Sequence, residues 1–89
     1  MIVPDVNLLV YAVFDGYPQH ERARAWLTEV LNGAEQVGLT APAIFGFVRL
    51  GTSALVHERP LSVPAASEYV AQWLARPRVS FLSAGVEHV

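Results

Sequence analysis

The opening segment of the chain, MIVPDVNLLVYAV, is almost wholly apolar but contains a single carboxylate, Asp5. Ile2 and Val3 are predicted to form a short strand and a helix is predicted from Leu8 onward, so Asp5 falls where the first strand ends. Open α/β sheets bind their ligands at this carboxyl edge. Burying a carboxylate among apolar residues is costly unless a partner compensates for it. The segment therefore favours an α/β fold with an acidic ligand site at the end of the first strand.

The remainder of the chain alternates short strands with helices, with turns at 15–18 and 60–64. In chain order the predicted elements are a strand at 2–3, a helix from 8, a helix at 19–32, a strand at 36–39, a helix capped by Thr40, a helix around 66–74, a strand at 79–82, and a helix from Gly85 capped by Ser83. This alternation is typical of a parallel sheet with right-handed crossovers. We therefore predict a three-layer α/β/α fold with about three strands and four helices, in which residues 1–89 form the N-terminal portion of a single domain.

The composition is apolar for so short a chain, because 53% of the 89 residues are hydrophobic. Small domains bury a smaller share of their surface than large ones, so the excess suggests that a longer chain or a partner covers one face. The chain has no Cys, which excludes disulfides and thiolate zinc sites and fits a reducing compartment.

No apolar run reaches the roughly 18 residues of a membrane span, and no basic region precedes the first strand, as a signal peptide would require. A cytoplasmic protein without membrane contact is therefore expected. The net charge of −2 neither supports nor excludes a nucleic-acid partner.

Asp5 is the strongest candidate for chemistry, and two roles are open to it. Hard divalent cations take oxygen ligands, so Asp5 is predicted to bind a metal. It also precedes a helix, where Asp is a favoured N-cap, and its two oxygens allow both roles at once. Asn7 is a secondary candidate, which could orient Asp5 or a metal-bound water. Arg49 is another, which could bind a phosphate or pair with a carboxylate. His20 is expected to be structural, and 57–59 to be a polar loop.

Four segments, in order along the chain, carry a resemblance to a known family: VPDVNLLVYA at 3–12, HERARAWL at 20–27, FVRLGT at 47–52 and FLS at 81–83. The chain resembles a PIN domain, specifically the VapC-type ribonuclease toxins of bacterial toxin–antitoxin pairs. The opening segment is the most specific part of the match, and the others are mostly packing patterns. Together they extend over almost the whole chain.

The resemblance implies a metal-dependent endoribonuclease, the toxin of a type II toxin–antitoxin pair, in which three or four acids hold Mg²⁺ or Mn²⁺ for RNA hydrolysis. Asp5 matches the first acid and is the expected catalytic residue and metal ligand. Gly46 stands where the family often has a Glu before its F-x-R segment, and the remaining acids are expected beyond Val89. The resemblance also implies an RNA substrate, a cognate antitoxin and a homodimer.

Two other functions are compatible with the same residues. Without the further acids, the chain would be an inactive PIN module that binds an antitoxin or another protomer, and it would then lack metal-dependent RNA cleavage. The other function is that of a receiver-like or phosphohydrolase-like domain, which phosphorylation of Asp5 by a small phosphodonor would identify. The phosphohydrolase pattern has a second Asp two residues after the first, where this chain has Asn7.

Overall fold

Helices and short strands alternate along the chain as predicted. The computed structural model describes residues 1–83. In chain order its elements are α1 (Val6–Val13), α2 (His20–Asn32), β1 (Val37–Thr40), α3 (Ala41–Gly51), α4 (Val63–Leu74) and β2 (Val79–Leu82). The α/β fold is therefore confirmed, with four helices and a parallel sheet within this range. The helix predicted from Gly85 lies outside the described residues.

β1 is the middle segment of the described sheet. It runs parallel to β2, with Val37 opposite Val79 and Thr40 opposite Leu82. On the other edge of β1, Ile2 forms a single parallel bridge to Val37. Three segments of the chain thus run side by side in one direction, and their carboxyl ends meet at the same edge of the sheet.

The predicted first strand is reduced to that bridge. The Gly38 N–H donates to the Ile2 carbonyl and the Ile2 N–H donates to the Gln36 carbonyl, each at 2.8 Å. Two residues later, Pro4 has no N–H with which to continue a ladder, and Asp5 already begins the turn into α1. The described sheet therefore has two strands and one bridged segment where about three strands were predicted.

The hydrophobic core lies where the helices pack on one another and on β1. Phe47 of α3 is fully buried and meets the Trp73 ring of α4 edge to face, with ring centroids 4.9 Å apart. The helix predicted around 66–74 is confirmed as α4, and it buries Ala66, Val70 and Trp73. The buried hydrophobic residues of the described chain are Leu9, Val10, Ala12, Ala23, Leu27, Val37, Leu39, Ala43, Ile44, Phe47, Ala66, Val70 and Trp73.

Among residues 1–83, no helix combines the length and the apolar character needed to cross a bilayer.

Three helices begin at a side chain that caps their first turn. The caps, with their N–H donors and distances, are Asp5 (Asn7, 3.4 Å), Thr40 (Ala43, 3.2 Å) and Ser62 (Ala65, 3.1 Å). Each cap satisfies one of the backbone N–H groups that the first helical turn leaves without a partner. Thr40 and Ser62 are also each followed by a Pro in the first turn, where no N–H is needed. The predicted cap at Thr40 is confirmed.

Residues 57–59 form a loop, as predicted, but His57 is buried in it and is only 8% exposed. Its Nδ1 donates to the Leu50 carbonyl at 2.9 Å, since a carbonyl can only accept. Its Nε2 therefore accepts from the Tyr17 hydroxyl at 2.8 Å. The imidazole also stacks on the Phe14 ring, with centroids 3.9 Å apart. His57 thus connects the last turn of α3 to the end of α1.

We expect Tyr17→Phe to lower the free energy of unfolding by about 1 kcal/mol, because the His57 acceptor would lose its donor. Tyr11→Phe is a matched control: the Tyr11 ring packs 5.0 Å from that of Tyr17, but its hydroxyl takes no part in the His57 contacts. Urea unfolding should show a change of less than about 0.5 kcal/mol for the control. If both variants lowered the free energy of unfolding equally, the hydrogen bond between Tyr17 and His57 would not be important for stability.

Candidate active site

Asp5 lies at the corner between the bridged segment and α1. Its backbone is extended, and its Oδ2 accepts the Asn7 N–H at 3.4 Å. Its carbonyl accepts the N–H groups of Leu8 and Leu9, at 3.1 and 3.3 Å. The side chain is exposed, and within residues 1–83 its second oxygen, Oδ1, has no hydrogen-bond partner. Asp5 therefore caps α1 through one oxygen and presents the other to solvent.

The Asp5 carboxylate borders a shallow depression at the carboxyl edge of the sheet, with a volume of about 320 Å³. The depression is formed by the two strand-to-helix corners, one leading into α1 and the other into α3. Its lining residues are Val3, Pro4, Asp5, Val6, Thr40, Pro42 and Ala43. Asp5 and Thr40 are the two of these whose side chains carry oxygen, so they determine what the depression can bind.

The structure does not bring the secondary candidates to this depression. Arg49 is exposed in the last turn of α3 and borders a groove between α3 and α4. At 1.5 Å per residue it lies about 13 Å further along the helix than the cap Thr40. His20 donates from Nδ1 to the Tyr11 carbonyl at 2.8 Å and is structural, as expected. Asn7 contributes its backbone N–H to Asp5.

In the part of the chain that the structure describes, no three His, Cys, Asp or Glu side chains lie close enough to share a metal ion. Asp15, the only other Asp of the sequence, is exposed in the turn after α1. The described residues therefore supply one carboxylate and one hydroxyl at the sheet edge.

Gly46 packs against the first residue of α1. A Cβ placed at position 46 would lie 3.0 Å from Cγ2 of Val6, closer than carbon atoms normally approach. The absence of a side chain therefore allows α1 and α3 to cross closely at this point. Because Val6 follows Asp5, the position at which the family often has a Glu adjoins the acidic corner. The family resemblance implied only that Gly46 stands where a Glu is often found, and the sequence gave no signal of this packing requirement.

Known proteins similar to this chain are ribonucleases by name. It is 52% identical over all 89 residues to Ribonuclease VapC33 of Mycobacterium tuberculosis and covers 62% of that protein. It is 38% identical over 88 residues to Ribonuclease VapC37 of the same species, covering 61% of it, and 34% identical over 88 residues to VapC ribonuclease Mb2897 of Mycobacterium bovis, covering 60%. No protein-family model matches the chain.

The chain is homologous to the VapC ribonucleases. The resemblance carried by the four sequence segments is thereby confirmed. The chain spans about three fifths of the length of the first curated relatives it matches.

Gly46→Ala tests the close crossing of α1 and α3. In an unconstrained helix interior, Gly→Ala stabilises by roughly 0.5–1 kcal/mol. We expect Gly46→Ala to show none of this gain in urea unfolding, because the added methyl meets Val6. In the Val6→Ala background the contact is relieved and the gain should reappear.

Gly51→Ala is the control within the same helix. A Cβ at position 51 would make ordinary contacts, with its nearest neighbour 3.6 Å away in the Phe14 ring. Gly51→Ala should therefore have the same effect in the wild-type and in the Val6→Ala background. If Gly46→Ala also stabilised the protein equally in the two backgrounds, contact with Val6 would not limit the size of the side chain at position 46.

Proposed function

We propose that the protein is a Mg²⁺-dependent endoribonuclease, the toxin of a type II toxin–antitoxin pair, with Asp5 as a catalytic residue and metal ligand. The observation that carries the proposal is the position of Asp5, an exposed acid at the carboxyl edge of the sheet whose Oδ1 makes no hydrogen bond within residues 1–83. The names of the homologous proteins support ribonuclease chemistry. They favour an enzyme over an inactive binding module.

The exposed carboxylate of Asp5 is the type of ligand that a hard divalent cation takes. Mg²⁺ keeps several waters and is commonly bound by one or two carboxylates together with phosphates of the substrate. Asp5 offers Oδ1 at an exposed position, which leaves space for waters and for an RNA phosphate. In the complete site, further acids are expected from the VapC resemblance.

The described residues orient Asp5. The Asn7 N–H bonds Oδ2, while the N–H groups of Leu8 and Leu9 bond the Asp5 carbonyl. These bonds restrict both the backbone and the side chain before any ligand arrives, and such preorganisation lowers the entropic cost of binding. When bound, the cation would activate a water for attack on phosphorus and stabilise the charge that develops on the leaving oxygen.

The proposal includes RNA as the substrate, Mn²⁺ as an alternative cation, a cognate antitoxin, a homodimer and a cytoplasmic location. The RNA substrate, the cations, the antitoxin and the homodimer follow from the VapC resemblance, and the cytoplasmic location follows from the sequence analysis. Apolar side chains at the surface are compatible with protein partners. Within residues 1–83, the exposed large hydrophobic residues are Met1, Val3, Phe45, Leu55, Val56, Val63, Tyr69 and Phe81.

Asp5→Asn separates capping from catalysis, because Asn caps a helix about as well as Asp but lacks the charge. We expect it to reduce RNA cleavage by about 100-fold or more, as loss of a group that stabilises transition-state charge commonly does. The free energy of unfolding should change by less than about 0.5 kcal/mol, because the cap is retained. Cleavage of a labelled RNA and urea unfolding of the same preparations measure the two effects.

Asp15→Asn is the matched control, since it removes the same charge from an exposed turn. It should leave cleavage unchanged. If Asp5→Asn retained wild-type cleavage while Asp5→Ala only lowered stability, Asp5 would be a helix cap and nothing more.

Removal of divalent cations tests the metal requirement separately. We expect EDTA to abolish cleavage and added Mg²⁺ or Mn²⁺ to restore it in the wild-type protein, because the attacking water depends on the cation. Neither cation should restore the Asp5→Asn variant. Cleavage that continues at the same rate in EDTA would contradict the proposal.

A further inference from the structure

Asp5 and Thr40 lie level with each other on neighbouring segments of the sheet. Each stands three residues beyond its member of the Ile2–Val37 bridge. Their backbones have nearly the same conformation, with φ −75° and ψ 153° at Asp5 and φ −80° and ψ 155° at Thr40. Both side chains border the same depression.

The Thr40 hydroxyl has hydrogen-bonding capacity left over from capping. Its Oγ1 accepts the Ala43 N–H at 3.2 Å, which uses a lone pair but not the hydroxyl hydrogen. Within residues 1–83 that hydrogen has no acceptor, and no direct hydrogen bond joins Thr40 to Asp5. A water between the two side chains would connect them across the depression.

We propose that Thr40 is a positioning residue of the Asp5 site, whose hydroxyl donates a hydrogen bond to a water of the cation held by Asp5. This inference rests on the proposed function and extends it to a residue that carries no charge. A cation bound through one carboxylate retains most of its waters. A fixed hydroxyl beside that carboxylate would therefore hold one of these waters in a defined place.

Ser62 allows the positioning role to be separated from simple capping. It caps α4 as Thr40 caps α3, with its Oγ accepting the Ala65 N–H at 3.1 Å and a Pro in the first turn. It does not border the Asp5 depression. Loss of the cap is thus common to variants of both residues, whereas an effect on the cation site is expected for Thr40 alone.

The test is the Kd for Mn²⁺ alone, measured by electron paramagnetic resonance with the wild-type protein and with Thr40→Val, Thr40→Ser and Ser62→Ala. We expect Thr40→Val to weaken Mn²⁺ binding about fivefold to tenfold, the usual effect of one lost hydrogen bond. Thr40→Ser keeps the hydroxyl and should stay within about twofold of wild type. Ser62→Ala should lower the unfolding midpoint as Thr40→Val does but leave the Kd unchanged.

Thr40→Asp provides a test in which Mn²⁺ binding is expected to become tighter and not weaker. Asp is also a favoured N-cap, so α3 keeps its first turn. A second carboxylate level with Asp5 should tighten Mn²⁺ binding by about tenfold or more, given the Coulomb energy of a nearby unit charge. The same substitution at Ser62 should have no effect on the Kd.

The outcomes distinguish this inference from the proposed function. Mn²⁺ binding that is lost in Asp5→Asn but unchanged in Thr40→Val and Thr40→Asp would overturn the role of Thr40 and leave the metal site of Asp5 intact. Equal weakening by Thr40→Val and Ser62→Ala would also overturn it, since capping would then be the cause. Absence of any Mn²⁺ binding that depends on Asp5 would refute both the inference and the metal dependence of the proposed function.

Discussion

The close crossing of α1 over α3 is the constraint on which the rest of the structure depends. Both helices leave the same edge of the sheet from neighbouring segments, so they must diverge or pack directly on each other. Gly46 allows the second arrangement, because its missing side chain makes room for Val6. At the far ends of the helices, His57 connects the last turn of α3 to the end of α1. The two strand-to-helix corners are therefore held in a fixed relation, and the depression that Asp5 borders lies between them.

Local features of this fold were predictable from the sequence because their causes lie within one or two turns of the chain. Thr40, followed closely by Pro42, predicted a helix start, and the structure has α3 there. The apolar spacing of Ala66, Val70 and Trp73 predicted the buried face of α4. The location of Asp5 at the end of the first sheet segment was predictable for the same reason, since it required only a short apolar run followed by a helix.

Features that depend on distant parts of the chain were not predictable. His57 has polar neighbours in sequence, yet it is buried because its partner Tyr17 is 40 residues away. The reduction of the first strand to one bridge depends on how Ile2 meets β1. Asp5 and Thr40 border one depression because of the same register, so the sequence identified one side chain of the candidate site and gave no reason to associate the other with it.

The cap that Asp5 forms on α1 is compatible with the proposed binding of a cation by the same side chain. A cap uses one carboxylate oxygen and fixes the side-chain rotamer, which removes part of the entropy that a flexible acid would lose on binding a ligand. The second carboxylate oxygen of Asp5 then faces solvent at the point where the backbone leaves the sheet and enters α1. An exposed acid of this kind carries no large desolvation cost, unlike a buried carboxylate. A strand-to-helix corner can therefore hold a ligand-binding carboxylate in place with little cost to the stability of a small domain.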